Sequence, residues 1–282
     1  MNFIISFPTS SFENVVDAYS FIKGFANFEI IGILAKEENI DYIDNDFEKI
    51  SKYLIENKLT RFTIINEYDD INGFKNSITY RCESWKNLSV FYFRVESINN
   101  LKFNELLCES YKLSFTTILL TDTYKARWQN EEVISNYMFF NKEHKHLPLI
   151  WDNFRSPVLG HLVDISLNPG HLKETFTMTL MAAPSMWFGP GSLKYFRKDL
   201  LANFPEAIEI IEVLPDVIYI KLFDNEASDY ETEEILAVQH NFRVWTKMDE
   251  IEKELNKKIM PPNKAAYLKI DLRGNNQNDE VK

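Results

Sequence analysis

In the N-terminal half of the chain, short apolar segments alternate with segments whose apolar residues recur at helical spacing. Residues 2–7 and 28–34 are apolar and rich in β-branched or aromatic side chains, a pattern typical of strands. Apolar spacings of three and four predict helices that begin after Ser10 or Ser11 and at Asp44. Seven further elements are predicted before residue 141: strand 62–65, an antiparallel pair of strands 77–81 and 89–95, strand 115–120, and helices 103–111, 124–127 and 131–140.

A polar, proline-flanked segment at 141–157 is the predicted internal boundary, and the pattern changes after it. Strands at 161–167 and 174–181 surround a Pro-Gly turn at 168–170 and predict a hairpin. The remaining predictions are a loop at 184–191, a helix from Ser192 to about 203, a hairpin of 208–214 and 217–223, a helix at 232–256 with a break near His240, a strand at 267–272 and a disordered tail at 274–282.

Antiparallel strand pairs mixed with helices predict an α+β fold with a mixed, largely antiparallel sheet and flanking helices. The predicted organisation is one globular unit over residues 1–273, followed by the tail at 274–282. Two lobes at 1–140 and 158–273 remain open as the alternative. A hydrophobic content of 45% in 282 residues is enough to bury a substantial core.

Charge is concentrated in one stretch of the sequence. Residues 206–234 contain ten acidic residues and one basic residue, Lys221, so they carry −9 of the net charge of −11. A surface tuned only for stability mixes both signs, whereas a one-sign surface attracts partners of the opposite sign. The alternative is a solvated face in which residues 229–234 supply the negative N-terminus of a helix. A second acid-only run at 37–48 adds to the predicted negative field.

Composition argues against several classes of function. There is no basic run and the isoelectric point is about 5.1, whereas nucleic-acid binding needs clustered lysine or arginine. Cys82 and Cys108 are expected to be reduced thiols packed as small hydrophobes. No apolar run has the roughly 18 residues that a membrane-spanning helix needs, and the first residues are typical of a strand, not of a signal peptide. The expected location is therefore cytoplasmic, with no membrane or nucleic-acid partner.

Two groups of histidines are candidates for chemical sites. His144 and His146 lie beside Glu143, but two lysines in the same segment would repel a cation, so a solvated loop is favoured over a zinc site. His161 and His171 flank the predicted 161–181 hairpin, together with Asp164. Because no Gly-x-Ser-x-Gly motif accompanies them, the favoured interpretation is structural.

The segment Gly189-Pro190-Gly191-Ser192 precedes a predicted helix, so its amides are able to bind an anion. It lacks the lysine-serine ending of a phosphate-binding loop, and an ordinary loop with a helix cap is favoured. Trp187, in the same loop, is either core or, if exposed, a binding hot spot.

Four segments stand out in the C-terminal part of the chain: strand 160–167, the Met-Trp-Phe-Gly-Pro loop at 186–190, the segment Leu-Pro-Asp-Val-Ile-Tyr-Ile at 214–220, and Asn-Phe-Arg-Val-Trp at 241–245. They lie within residues 160–255, about a third of the chain. On these segments, this part resembles the bacterial immunity proteins of polymorphic toxin systems, specifically the immunity protein 52 family. The resemblance implies a small, non-enzymatic protein that binds and blocks one cognate toxin, and it carries over no active-site residue.

The sequence therefore favours a binding protein that neutralises a basic partner, a toxin, through an acidic face. No catalytic residue, metal or cofactor is predicted. The predicted contact residues are the acids Asp216, Asp224, Glu226, Asp229, Glu231, Glu233 and Glu234 and the anchors Trp187, Tyr219 and Tyr230. Two alternatives remain open: an enzyme of unrecognised type with a pocket near His161, Asp164 and His171, and an adaptor or scaffold protein that exposes an apolar patch.

Overall fold

A ten-stranded sheet, in which every neighbouring pair of strands is antiparallel, runs through the computed structural model of the protein. The structure describes residues 2–30, 32–34, 42–44, 46–56, 58–66, 68–69, 73–74, 76–153 and 155–259. Together with helices on both faces of the sheet, this architecture confirms the predicted α+β class.

The described residues form the strands of this sheet, three small strand pairs and the surrounding helices. The strands are β1 (Asn2–Pro8), β2 (Gly32–Leu34), β3 (Tyr42–Asp44), β4 (Arg61–Ile65), β5 (Tyr68–Asp69), β6 (Gly73–Phe74), β7 (Ser77–Glu83), β8 (Leu88–Arg94), β9 (Thr117–Thr121), β10 (Leu149–Ile150), β11 (Leu162–Val163), β12 (Lys173–Glu174), β13 (Thr179–Leu180), β14 (Ser185–Phe188), β15 (Glu209–Leu214) and β16 (Val217–Lys221). The helices are α1 (Val15–Lys23), α2 (Phe47–Glu56), α3 (Phe103–Lys112), α4 (Arg127–Asn130), α5 (Ile134–Phe139), α6 (Ser156–Leu159), α7 (Lys198–Ala202), α8 (Glu233–Thr246) and α9 (Met248–Asn256).

The strand order in the large sheet is β15-β16-β14-β9-β1-β8-β7-β4-β2-β3. The pairs β5-β6, β10-β11 and β12-β13 form separate two-stranded sheets. Strands from both sides of the predicted boundary at 141–157 therefore share one sheet, because β14 pairs with β9. The division into one unit or two lobes stays a prediction.

β1 lies inside the sheet between β8 and β9, and its sequence suits that position. Phe3, Ile5 and Phe7 are buried on one face, while Ile4 and Ser6 are buried on the other. A strand that is covered on both faces needs apolar or small residues at consecutive positions. β1 therefore belongs to two cores at once.

Each face of the sheet supports its own core. Side chains of α1, α2 and α3 pack with Phe3, Ile5 and Phe7 on the first face. Side chains of α7, α8 and α9 pack with Ile4 and with residues of β9, β14 and β16 on the second face. Aromatic rings fill much of the first core: Phe7 lies 5.3 Å from Phe12 between ring centroids, in the edge-on geometry that aromatic pairs prefer.

Several predicted elements are confirmed. Strands 77–81 and 89–95 pair antiparallel as β7 and β8, and the hairpin of 208–214 and 217–223 forms as β15 and β16. In the second hairpin Asp216 takes a left-handed backbone conformation, with φ of 60°, at the predicted turn.

The predicted hairpin between 161–167 and 174–181 is wrong. β11 pairs with β10, and β12 pairs with β13. The chain turns early, into a 3-10 helix at Ile165–Leu167, because the Asp164 carboxylate accepts a hydrogen bond from the amide of Ser166 at 3.1 Å. The turn chemistry of an aspartate thus ends the strand before the Pro-Gly pair is reached.

The predicted loop at 184–191 is a strand for half of its length. β14 occupies an inner position in the sheet, where Trp187 contributes to the first core and Phe188 to the second. Ser192 does not cap a helix; its hydroxyl donates a hydrogen bond to the Gly189 carbonyl at 2.8 Å, and α7 begins only at Lys198.

Helix boundaries also differ from the predictions. α1 begins after Asn14, whose side chain accepts the Val16 amide at 2.8 Å, and the predicted cap at Ser10 or Ser11 is wrong. The break in the last long helix falls at Lys247, with φ of 59°, instead of near His240, which lies inside α8. The predicted strand at 267–272 and the tail at 274–282 lie outside the described residues.

We expect Gly189→Ala to lower the free energy of unfolding by about 1–3 kcal/mol, as over-packed sites do. A Cβ atom at Gly189 would lie 2.4 Å from the carbonyl oxygen of Phe115, a backbone atom that cannot rotate away. Gly24→Ala is the matched control, because a Cβ atom there would lie at an ordinary 3.8 Å from the carbonyl oxygen of Phe21. Urea unfolding of both variants measures the difference; equal stabilities would contradict the packing assigned to β14.

Candidate functional site

Three of the predicted acidic contact residues are already paired with lysines. Lys198 donates hydrogen bonds to Glu212 at 2.7 Å and to Asp216 at 2.9 Å, and these bonds raise the pKa of that lysine. Asp224 pairs with Lys221, and Glu231 pairs with Lys142. Lys198 and Lys142 lie outside the acidic stretch in sequence, so the fold cancels part of the charge that the sequence concentrates.

Four other predicted acids keep their charge unpaired. Glu226, Asp229, Glu233 and Glu234 are exposed, and none forms an ion pair with any residue that the structure describes. They lie before and in the first turn of α8, where negative charge also complements the helix dipole. We call these four residues the acidic cluster.

Two of the three predicted anchors, Trp187 and Tyr230, are buried, so the prediction that they contact a partner is wrong for this structure. Trp187 is 9% exposed because its ring packs against Phe103 at 5.1 Å and Tyr219 at 4.8 Å between centroids. Tyr230 is 0% exposed, its hydroxyl is hydrogen-bonded to Asn225, and burial raises the pKa of the phenol. Neither side chain is available as a contact anchor in this conformation, whereas Tyr219 is half-buried.

The histidines near the predicted 161–181 hairpin have separate partners. His161 is exposed and its ring lies 5.1 Å from that of Trp151. Asp164 accepts hydrogen bonds from the amide and hydroxyl of Ser166. His171 is 2% exposed and faces α9. Asp164 and His171 line different clefts, so the structure does not bring the three side chains into one site.

His171 belongs to a buried charged cluster that joins a loop to the last two helices. Its Nε2 lies 3.1 Å from a carboxylate oxygen of Glu252, and its Nδ1 lies 2.5 Å from the carbonyl oxygen of Asn168. Arg243 is 3% exposed and donates to Glu252 at 2.8 Å and to Asp249 at 2.6 Å. These contacts hold the loop after Asp164 against α8 and α9.

The ionisation of Glu252 is tied to that cluster. Burial by itself would raise the pKa of Glu252, but the hydrogen bond with His171 and the charges of His171 and Arg243 outweigh burial and lower the pKa below its ordinary value. The carboxylate form is therefore the one that the fold stabilises.

His144 and His146, the other two candidate histidines, do not form a metal site. His144 Nδ1 lies 3.1 Å from the carbonyl oxygen of Lys142, and His146 is exposed. Within the described ranges of the chain, no three histidine, cysteine, aspartate or glutamate side chains come together in a geometry that could hold a metal ion.

The sequence patterns did not reveal an exposed apolar segment between residues 138 and 167. Nine large hydrophobic side chains in it are exposed: Met138, Phe139, Phe140, Leu149, Ile150, Trp151, Val158, Leu159 and Leu167. They fall in short groups, 138–140, 149–151 and 158–159, with polar residues between the groups, and no group has the period of an amphipathic helix or strand. Exposed apolar clusters of this kind mark interaction surfaces more often than isolated exposed residues do.

Local contacts give the exposed apolar segment a defined structure. Leu149 and Ile150 of β10 pair with β11, and Val133 forms an additional bridge to Leu162. Arg155 pairs with Glu132 and with Asp152, which ties α6 to the residues before α5. The apolar side chains are thus presented by a framework of strand pairs and ion pairs.

A groove of about 500 Å³ separates this segment from the start of α8. Its lining is mostly apolar: Trp128, Tyr137, Leu147, Pro148, Val163, Ile165, Leu167, Pro169 and Leu236. The Lys142–Glu231 ion pair connects its two sides, and Asp229 accepts the amide of Glu231 at 2.8 Å. The groove therefore lies beside the acidic cluster.

No family model matches the chain, and no curated protein matches it. Among solved structures, the Pseudomonas aeruginosa T6SS protein PA0821 aligns with a TM-score of 0.47 and 12% identity, over 87% of this chain and 72% of that one. A TM-score below 0.5 at this identity does not establish a common fold.

Within the described residues, no helix is both long and apolar enough to cross a bilayer.

We expect acid to destabilise the protein partly through Glu252. Because its pKa is lowered on folding, Glu252 contributes stability above the pKa of an unfolded glutamate, about 4.3, and this contribution is lost as the pH falls through the lower folded value. Glu252→Gln should lower the free energy of unfolding at pH 7 by about 1–3 kcal/mol and flatten its decline between about pH 5 and 3.

The matched control is Glu250→Gln, which removes an exposed carboxylate from the same helix. Urea midpoints followed by circular dichroism across the pH range give the comparison. If both variants showed the wild-type decline, the cluster of His171, Arg243 and Glu252 would not hold the fold as described.

Proposed function

We propose that this chain is a non-enzymatic binding protein that docks onto a basic protein and neutralises it. The observation that carries the proposal is the position of the acidic cluster beside the exposed apolar segment at 138–167, on either side of the Lys142–Glu231 ion pair. Unpaired charge and exposed apolar area together are what a protein–protein contact surface requires.

The two parts of this surface supply different contributions to binding. Acidic side chains that lack local partners attract a basic protein and raise its association rate. Exposed aromatic and aliphatic side chains, among them Trp151 and Phe139, supply the area that is removed from water in the complex. Charge thus governs the association rate, and apolar burial governs the lifetime of the complex.

The class of partner follows from the resemblance of residues 160–255 to bacterial immunity proteins, which implies a toxin. Toxin domains that attack nucleic acids are usually basic, because they bind phosphates, and an acidic surface can occupy such a domain as a charge mimic. The reduced set of unpaired acids, Glu226, Asp229, Glu233 and Glu234, replaces the broader acidic face expected from the sequence.

An adaptor or scaffold is the second candidate, and the nine exposed hydrophobic side chains favour it. An adaptor that binds through apolar contacts alone does not need the acidic cluster. Salt dependence separates the two, since exposed charges are screened at physiological ionic strength over about 8 Å whereas apolar contacts are not weakened by salt.

The first experiment identifies the partner and measures how it binds. The immobilised full-length chain captures protein from a lysate of the source organism at low and at high salt, and mass spectrometry identifies what is retained. We expect one basic protein whose retention weakens at high salt. Retention that does not depend on salt would favour the adaptor.

Paired charge variants then test the acidic cluster. Glu226→Gln/Glu233→Gln/Glu234→Gln should slow association with the captured protein by about tenfold at low salt and flatten its salt dependence. The control, Glu209→Gln/Glu212→Gln/Asp216→Asn, changes the net charge equally but on the β15–β16 hairpin, outside the acidic cluster, so the association rate should change much less. Equal effects of the two variants in surface plasmon resonance would contradict a specific acidic contact site.

A further inference from the structure

We propose that the groove between the exposed apolar segment and α8 is the socket for one apolar side chain of the basic partner, flanked in the partner by lysine or arginine. This inference rests on the proposed function and specifies which element of the partner is recognised. The juxtaposition that supports it is an apolar groove of about 500 Å³ with carboxylates at its rim.

The walls of the groove come from three parts of the chain. Trp128 and Tyr137 contribute aromatic surface from α4 and α5, and their ring centroids are 4.9 Å apart. Leu147 lies on the segment before β10, and Leu236 lies on α8. Leu167, which is 69% exposed, stands at the rim. Tyr137 is already buried, so an occupant removes apolar surface from water mainly at Leu167 and at the half-buried Trp128.

The loop that forms one wall is fixed before any ligand arrives. Asn168 accepts the amide of Gly170 on its side chain at 2.9 Å, and its carbonyl oxygen faces His171. The Nε2 of His171 lies 3.1 Å from Glu252, whose carboxylate also accepts a hydrogen bond from Arg243. A groove whose wall is already ordered loses little conformational freedom on binding. Because this entropic cost is low, the few contacts of a short peptide segment are enough for it to bind.

The charge at the rim selects the flanking residues of the occupant. Lys142 is matched by Glu231 inside the groove. Glu143 and Asp164 also line it, and neither forms an ion pair with a residue that the structure describes. Lys145, the neighbouring cation in sequence, does not line the groove. The rim is therefore negative over an apolar interior.

A cation does not replace the apolar side chain in the interior, because the Glu231 carboxylate inside the groove is already paired with Lys142 and leaves the desolvation of a second cation uncompensated. Lysine and arginine on either side of an apolar residue can lay their aliphatic stems along the walls and extend their charged ends to the rim. Asp229, Glu233 and Glu234 continue the negative surface on the α8 side, so a segment with several basic residues gains contacts along its length.

The test uses three capped pentapeptides: Arg-Lys-Leu-Lys-Arg, the same peptide with glycine in place of leucine, and Glu-Asp-Leu-Asp-Glu. Each is titrated to about 5 mM against the full-length, ¹⁵N-labelled protein, since a single anchored side chain gives affinities on the order of 1 mM. The indole resonance of Trp128, which lines the groove, reports occupancy, and that of Trp187, inside the sheet, is the internal reference.

We expect the basic leucine peptide to shift the Trp128 resonance and to bind about tenfold more tightly than the glycine peptide, because one leucine side chain is buried. The acidic peptide should bind at least about fivefold more weakly at low salt, and this ratio should shrink at high salt. Leu167→Ser should remove the advantage of leucine over glycine. The control is Ile208→Ser, which changes a side chain that is 57% exposed and directly precedes β15. It should leave the advantage of leucine over glycine unchanged.

The outcomes separate this inference from the proposed function. Equal binding of the leucine and glycine peptides, with the acidic peptide weaker, would overturn the socket while leaving the acidic surface in place. Tighter binding of the acidic peptide would overturn both. A failure of all three peptides to move Trp128, or an equal effect of the two serine variants, would overturn the socket alone, because capture of a basic protein does not depend on it.

Discussion

Burial of β1 on both of its faces is the constraint on which the rest of the structure depends. Consecutive residues of this strand are buried in two different cores. Helices α1 to α3 therefore cover one face of the sheet, and α7 to α9 cover the other. The segment at 138–167 is left at the margin, where it pairs mainly with its own neighbours and touches the start of α8.

The distribution of charge depends on the same arrangement. The packing of α7 brings Lys198 to the β15–β16 hairpin, and the segment after α5 brings Lys142 to Glu231. These pairs contribute little stability, as exposed ion pairs generally do, but they cancel local charge. Of the acids predicted as contact residues, the four of the acidic cluster remain without an ion pair among the described residues, and they lie beside the groove. Charge and apolar exposure are consequently found together at the start of α8.

Local patterns predicted the parts of the fold whose pairing is local. The β15–β16 hairpin was predictable because its strands flank a Pro-Asp turn, and β7 and β8 because two β-rich runs follow each other closely. β14 was not, since its pairing with β9 joins residues far apart in sequence. The acidic cluster was part of the predicted site. The burial of Trp187 was not predictable because it depends on Phe103 and Tyr219, and the groove was not predictable because three separate segments form it. No sequence pattern reports such contacts.

The central claim is that one surface, made of the acidic cluster and the exposed apolar segment, contacts the partner. Hydrogen–deuterium exchange of the full chain, free and saturated with the captured basic protein, tests it most directly. The account predicts new protection confined to residues 138–167 and 226–236. Protection centred on the β15–β16 hairpin or on the helices α1 and α2, with residues 138–167 unchanged, would contradict it.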